Sequence, residues 1–328
     1  MRSIGRHVAK LSGFAPALPT PFSEQGEVDG AAFEHFCDLQ IRAGATALVV
    51  CGTTGEAPTL RPAEYHILVR IAVDVANGQV PVIAGAGSNS TAHAIELSKG
   101  AEAAGADAIL SVVPYYNKPT QTGMAAHFSA IAQSTGLPIF LYDVPSRTGV
   151  GLADDTIARL AEQPQIIGLK DATGDMTRVV RLRSMLGSDF RLLSGDDATA
   201  LAFIAEGGNG CISVTSNVAP GLCRSMYLTC RHGQIFNARR WAAPVAKLTA
   251  ALFCETNPVP LKYTLSLLGL ISPKVRLPLV ELSDASKAEV AAMTAQISED
   301  YADYMIGKAV VHDQPRNRAI SESSRFSS

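Results

Sequence analysis

A lysine and a tyrosine delivered at the ends of two apolar runs carry the strongest chemical signal in the chain. Residues 165–171 read Gln-Ile-Ile-Gly-Leu-Lys-Asp, a run that places Lys170 just before the turn Ala-Thr-Gly-Asp. One unit earlier, Pro-Ile-Phe-Leu-Tyr-Asp from Pro138 to Asp143 places Tyr142 in the same way. Neighbouring parallel strands lie roughly 4.8 Å apart. If these two runs are neighbours, an amine and a phenol point into one small space. A lysine taken out of water can lose its proton and attack a ketone, and a phenol beside it can move the protons that the reaction requires. The pair predicts imine chemistry on a carbonyl substrate.

Other groups fall near similar strand ends. Gly52-Thr53-Thr54-Gly55-Glu56 offers the hydroxyls of Thr53 and Thr54 and the free N–H groups of a glycine-bounded turn, which together can hold a carboxylate. Lys170 would attack the ketone beside that carboxylate. Tyr142 would shuttle protons, with Thr53 linking it to a second phenol. Arg147, in Pro145-Ser146-Arg147-Thr148-Gly149, offers a planar fork suited to a second carboxylate. The implied substrates are a 2-oxo acid and another carboxylated molecule. Each residue also has a plainer reading: a solvated lysine, a half-buried core tyrosine, an ordinary turn, loop aromatics at Tyr115 and Tyr116, a surface arginine. Convergence at one end of the fold is what favours the chemical reading.

The elements that must bring them together form a repeating series. Short β-rich runs end near Leu18, Cys51, Ala84, Val113, Tyr142, Lys170, Ser194 and Ser213. Helical spacing lies between them, over 31–42, over 62–76 with Pro62 at the first helical position, over 92–104 and over 125–133. Gly105 and Gly136 follow as C-terminal stops. About eight such steps predict a (β/α)8 barrel, with a doubly wound open sheet as the alternative. In a barrel, active sites form at the C-terminal ends of the strands, where Lys170, Tyr142, Thr53 and Arg147 all fall. The pattern divides the chain into an extension over 1–12, the barrel over 13–218, a helical appendage over 219–307 and a disordered tail over 308–328. Trp241, Leu248, Leu252 and Phe253 suggest packing faces in the appendage.

Composition narrows the class. Hydrophobic residues make up 47% of the 328 residues, enough for one large core, and the formal charge is −2, which gives no basic face for nucleic acid. No apolar stretch reaches the roughly 18 residues of a membrane span. The basic start lacks the apolar core of a secretory signal. The six cysteines form no C-x-x-C pair and read as buried thiols in a reducing cytosol, and the seven histidines show no metal-ligand spacing. Gly85-Ala86-Gly87 lacks a dinucleotide pattern, and Gly207-Gly208-Asn209-Gly210 precedes rather than follows the eighth run, so neither predicts phosphate binding. No cofactor is expected.

Five motifs in order resemble the dihydrodipicolinate synthase family, within the pyruvate-dependent class I aldolases that include N-acetylneuraminate lyase. They are Gly-Thr-Thr-Gly-Glu at 52–56, Pro-Tyr-Tyr-Asn-Lys-Pro at 114–119, Tyr-Asp-Val-Pro-Ser-Arg-Thr-Gly at 142–149, Gly-Leu-Lys-Asp-Ala-Thr-Gly-Asp at 168–175 and Leu-Ser-Gly-Asp-Asp at 193–197. The resemblance covers roughly residues 13–300. It implies that Lys170 forms an imine with pyruvate and that Tyr142 donates and accepts protons. Thr53 and Tyr116 would complete a relay, Tyr116 reaching into a neighbouring subunit. Thr54, the backbone of Ile212 and Gly195 would line the pyruvate site. The enamine would attack L-aspartate 4-semialdehyde, giving 4-hydroxy-tetrahydrodipicolinate for lysine and diaminopimelate biosynthesis in a cytoplasmic homotetramer. Arg147 favours this branch over the sugar-acid lyases, which typically lack an arginine here.

One departure from the family pattern concerns regulation. Lysine-inhibited members use an interface pocket with an asparagine, a glutamate and a histidine. Asn89 and Tyr115 match that pocket, but His93 stands at the glutamate position and Tyr65 at the histidine position. A bound lysine ammonium would lose its charge partner, which predicts weak or absent inhibition. Two other readings remain: an aldolase for a 2-keto-3-deoxy sugar acid or sialic acid, and a barrel that binds a 2-oxo acid without turnover.

Overall fold

The computed structural model describes Val8 and residues 11–307. The expected tail at 308–328 and most of the extension at 1–12 lie outside the described residues. Eight strands alternate with helices. The strands are β1 Gly13–Pro16, β2 Leu48–Val50, β3 Val82–Gly85, β4 Ala108–Val112, β5 Ile139–Asp143, β6 Ile166–Asp171, β7 Arg191–Ser194 and β8 Gly210–Ser213. The helices that follow them in turn are α1 Gly30–Arg42, α2 Pro62–Ala76, α3 Thr91–Ala104, α4 Gln121–Ser134, α5 Asp154–Ala161, α6 Met176–Leu186, α7 Ala200–Ala205 and α8 Pro220–Arg231. All sheet neighbours are parallel, in the order β1-β8-β7-β6-β5-β4-β3-β2. A parallel bridge between Ala17 and Val49 joins the two ends and closes the ring. This is the (β/α)8 barrel, not an open doubly wound sheet.

Both faces of the strands are buried, which is why the sequence shows no strict alternation. Inward residues such as Val49, Ile83, Phe140, Leu193 and Ile212 fill the barrel as one cluster. Outward residues such as Val50, Leu141 and Leu169 pack with Phe33, Leu68 and Phe128 of the helices. Phe140 is fully buried inside the ring, so Phe140→Ala would cost about 3–5 kcal/mol.

Local signals set the helix ends. Asp29 accepts the Ala32 N–H at 3.0 Å and starts α1, and Thr120 accepts the Gly123 N–H at 3.2 Å and starts α4. Pro62 opens α2, and Gly105 closes α3 in the left-handed conformation at φ +91°. Gly136 does not act as expected. Helix α4 ends at Thr135 in an extended conformation, and the Gly136 N–H donates to Glu102 at 3.3 Å.

After the ring come α9 Ile235–Leu252, α10 Val259–Leu267 and α11 Asp284–Asp300. Leu248 and Leu252 are buried as expected, and Trp241 lies 5.1 Å from Tyr304 between ring centroids. Phe253, expected on a packing face, is exposed. It sits just past the last turn of α9, where the chain has left the helical register. Among the described residues, no helix is long and apolar enough to cross a membrane.

Candidate active site

The register of the central strands sets the site. Tyr142 of β5 pairs with Lys170 of β6, and Lys170 pairs in turn with Leu193 of β7. Residues directly paired across parallel strands face the same side, so the amine and the phenol meet. Lys170 Nζ lies 4.2 Å from the centre of the Tyr142 ring, and both residues are 7% exposed. Gly195, just past β7, makes the space. A Cβ there would stand 2.8 Å from Ala172 Cβ and 3.0 Å from Lys170 Cε, so a side chain at this position would crowd both. Ile212 of β8 is buried in the same interior cluster as Tyr142.

The next residue on each strand points the opposite way, which puts carboxylates behind the pair. Asp143 follows Tyr142 and Asp171 follows Lys170, and both are buried. Arg178, from the first turn of α6, reaches between the strands. Its guanidinium donates to Asp143 Oδ2 at 2.8 Å, Asp171 Oδ2 at 3.4 Å, Asp154 Oδ1 at 2.9 Å and the Leu152 carbonyl at 2.6 Å. Burial pushes the Asp143 carboxyl up, and the Arg178 charge and the Leu152 N–H pull against it. A third carboxylate, Asp197, accepts the Ser213 hydroxyl at 2.5 Å and the Val214 and Thr215 N–H groups at 2.8 and 3.1 Å, fixing the end of β8. None of these clamps was expected from the sequence. A signal existed for the first: a carboxylate on the outward face of a buried central strand requires a cation.

Across the mouth, the turn after β2 carries Thr53 half-buried and Thr54 buried. Thr54 Oγ1 accepts the Asn257 amide at 3.0 Å. Glu56 closes the turn in the left-handed conformation at φ +56° and is buried against Lys262, Nζ to Oε1 at 2.8 Å. The rim of the mouth is different. Tyr115, Tyr116, Lys118 and Arg147 are all exposed, Tyr116 by 89%. Arg147 sits in a single helical turn, Pro145–Thr148. Tyr116 and Lys118 hold positive φ at +73° and +45°, and Cys51 does so at +52° before the β2 turn. Such backbone costs about 1–3 kcal/mol each and gathers at functional sites.

The four residues expected around a regulatory pocket are not presented alike. The Asn89 carbonyl accepts the Asn117 amide at 2.9 Å, which ties it to the loop carrying Tyr115. His93 is exposed and contacts Glu96 at 3.3 Å. Tyr65 is turned into the outer core of α2, and among the described residues its hydroxyl has no hydrogen-bond partner.

Fold and geometry together define a class: a (β/α)8 barrel carrying an amine against a phenol at the catalytic end, equipped for imine chemistry. Comparison with known proteins agrees. Residues 10–297 match the model of the Dihydrodipicolinate synthetase family. The chain is similar to the 4-hydroxy-tetrahydrodipicolinate synthase of Hyphomonas neptunium, at 52% identity over 86% of this chain and 97% of that one. Its fold is similar to the synthase structure from Methylacidiphilum fumariolicum SolV, with a TM-score of 0.87 and 41% identity over 90% of this chain and 98% of that one. It is also similar to the chloride-inhibited synthase of Acinetobacter baumannii solved with pyruvate, with a TM-score of 0.84 and 42% identity over 87% and 98% of the two chains. The chain belongs to the dihydrodipicolinate synthetase family.

Proposed function

We propose that this protein condenses pyruvate with L-aspartate 4-semialdehyde to give 4-hydroxy-tetrahydrodipicolinate, the branch that leads to diaminopimelate and lysine. The observation that carries the reading is Lys170 Nζ at 4.2 Å from the Tyr142 ring centre, with Gly195 leaving room for the amine. The free amine of Lys170 adds to the pyruvate ketone, and loss of water leaves an imine. Tyr142 passes the protons of both steps through Thr53 and Tyr116. Thr54, the N–H groups of its turn and the Ile212 backbone hold the pyruvate carboxylate. Loss of a methyl proton gives an enamine, whose carbon attacks the aldehyde carbon. Arg147 holds the carboxylate of that second substrate. The substrate amine then closes the ring on the imine carbon and expels Lys170 as the free amine. No step calls for a cofactor.

We propose the same division of labour along the chain as its pattern suggests: a catalytic barrel, then a helical appendage. The 89% exposure of Tyr116 on a strained backbone supports a homotetramer in which that phenol enters a neighbour's site. A cytoplasmic setting suits such chemistry. The exposed Arg147 favours the synthase over a sugar-acid aldolase. A Lys170–Tyr142 pair supports turnover over binding alone. Borohydride added with pyruvate, followed by mass spectrometry, should trap one adduct on Lys170, and Lys170→Ala should abolish both adduct and turnover. An unmodified lysine would sink the reading.

A further inference from the structure

The turn that carries Thr53 and Thr54 is shaped by residues two hundred positions away. Asn257 Nδ2 donates to Thr54 Oγ1 at 3.0 Å, Lys262 Nζ to Glu56 Oε1 at 2.8 Å and the Arg276 N–H to Glu56 Oε2 at 3.0 Å. Barrel side chains tie the turn through backbone carbonyls instead, the Thr20 hydroxyl to Gly55 at 2.7 Å and the Thr59 hydroxyl to Glu56 at 3.0 Å. Lys262 is fully buried and lies 4.2 Å over the Phe22 ring, so neither it nor Glu56 has water to fall back on. Removing either charge leaves the other unpaired in the interior. Glu56 needs that anchorage, because its left-handed backbone is one that a glutamate rarely adopts unaided.

The polarity of the Asn257 contact adds a chemical consequence. A hydroxyl has one proton to give and lone pairs to receive. Because Asn257 fills a lone pair of Thr54, the Thr54 proton stays available to a ligand. The Asn257 residue is itself buried, and among the described residues its Oδ1 has no partner.

We propose that Asn257 and Lys262 of the C-terminal appendage are positioning residues for the pyruvate carboxylate, Asn257 by keeping the Thr54 hydroxyl proton free and Lys262 by locking Glu56 at the end of the turn. The proposal rests on the synthase reading above. It differs from a merely structural role in where the damage falls.

The test is steady-state kinetics of the full-length protein, with pyruvate and aldehyde varied separately, alongside thermal unfolding. Asn257→Ala should raise the pyruvate KM on the order of 10-fold, the size of one lost hydrogen bond to a charged ligand. The aldehyde KM should stay within about 2-fold. Asn257→Asp has the same shape but can only accept. It should capture the Thr54 proton and repel the carboxylate, raising the pyruvate KM more than Asn257→Ala does. In a Thr54→Val background, Asn257→Ala should add nothing further, since the shared contact is already gone. Lys262→Met should raise the pyruvate KM and Lys262→Arg should restore part of it. If Lys262→Met does not fold, the Asn257 series decides alone. An aspartate milder than the alanine, equal damage to both substrates, or an undiminished Asn257 effect without the Thr54 hydroxyl would overturn the proposal. Borohydride trapping of wild-type Lys170 is run in parallel. An adduct there with no Asn257 effect refutes only this inference, whereas no adduct refutes the reading beneath it.

Discussion

Lys170 and Tyr142 sit at 7% exposure with Arg178 wedged behind them between two carboxylates, whereas Tyr116 stands 89% exposed on a strained loop at the same end of the barrel. At the floor of the mouth the amine rests on the phenol ring, and the Arg178 guanidinium holds the buried Asp143 and Asp171 carboxylates behind them. The rim, with Tyr115, Lys118 and Arg147, faces outward. Under the proposed function, the difference teaches that covalent chemistry and recognition of the second substrate are built to different tolerances. A nucleophile must be held within a fraction of an ångström of its target, while a carboxylate clamp can close on arrival.

Substitutions can break this comparison. Tyr142→Phe keeps the ring that packs on Lys170 and removes only the hydroxyl, so the rate should fall roughly 10²–10⁴-fold with an unchanged circular dichroism spectrum. A near-normal rate would take the phenol out of the mechanism. At the rim, Arg147→Ala should raise the aldehyde KM on the order of 10–100-fold, the range of a charged hydrogen-bond pair, and leave pyruvate nearly untouched. Equal damage to both substrates would make this arginine a support for its turn. Millimolar lysine should change the rate less than about 2-fold, because Tyr65 is buried and His93 is no carboxylate. Strong inhibition in an activity titration would contradict that expectation.

Outside both regions, His127→Gln should leave the neutral-pH rate alone and alter acid stability. Burial holds the His127 ring down at about 4, against an ordinary 6.5. Between those values the unfolded chain binds a proton here and the native chain does not. Stability from this group is therefore complete above pH 6.5 and is lost as pH falls toward 4, by on the order of 3 kcal/mol. The variant should flatten that part of a denaturant-midpoint profile, and an unchanged slope would assign the acid sensitivity elsewhere.

The floor was legible in the sequence for a physical reason. Lys170 and Tyr142 end unbroken apolar runs, and a strand buried on both faces can only present such residues at its tip. The barrel followed from the repeat of those runs, since Pro62 and Gly105 punctuate their helices as local geometry requires. What stayed hidden depends on long-range pairing. Arg178 reads as an ordinary helix arginine until β5 and β6 place Asp143 and Asp171 behind it. Lys262 lies in an apolar helix with no local sign that its partner is Glu56, 206 positions earlier. Gly136 misled because the chain already turns extended at Thr135, where Glu102 of the preceding helix accepts the Thr135 hydroxyl and the Gly136 N–H.

That separation of 206 residues has a meaning for biosynthesis. A ribosome adding about 5–20 residues per second needs roughly 10–40 s to travel from Glu56 to Lys262. Throughout that interval the nascent chain holds a carboxylate whose ammonium has not yet been made. A polypeptide released before codon 257 would lack both the amide and the amine that brace Thr54 and Glu56. Under the positioning role proposed for Asn257 and Lys262, such a fragment would hold a keto acid poorly although it already carries Lys170 and Tyr142.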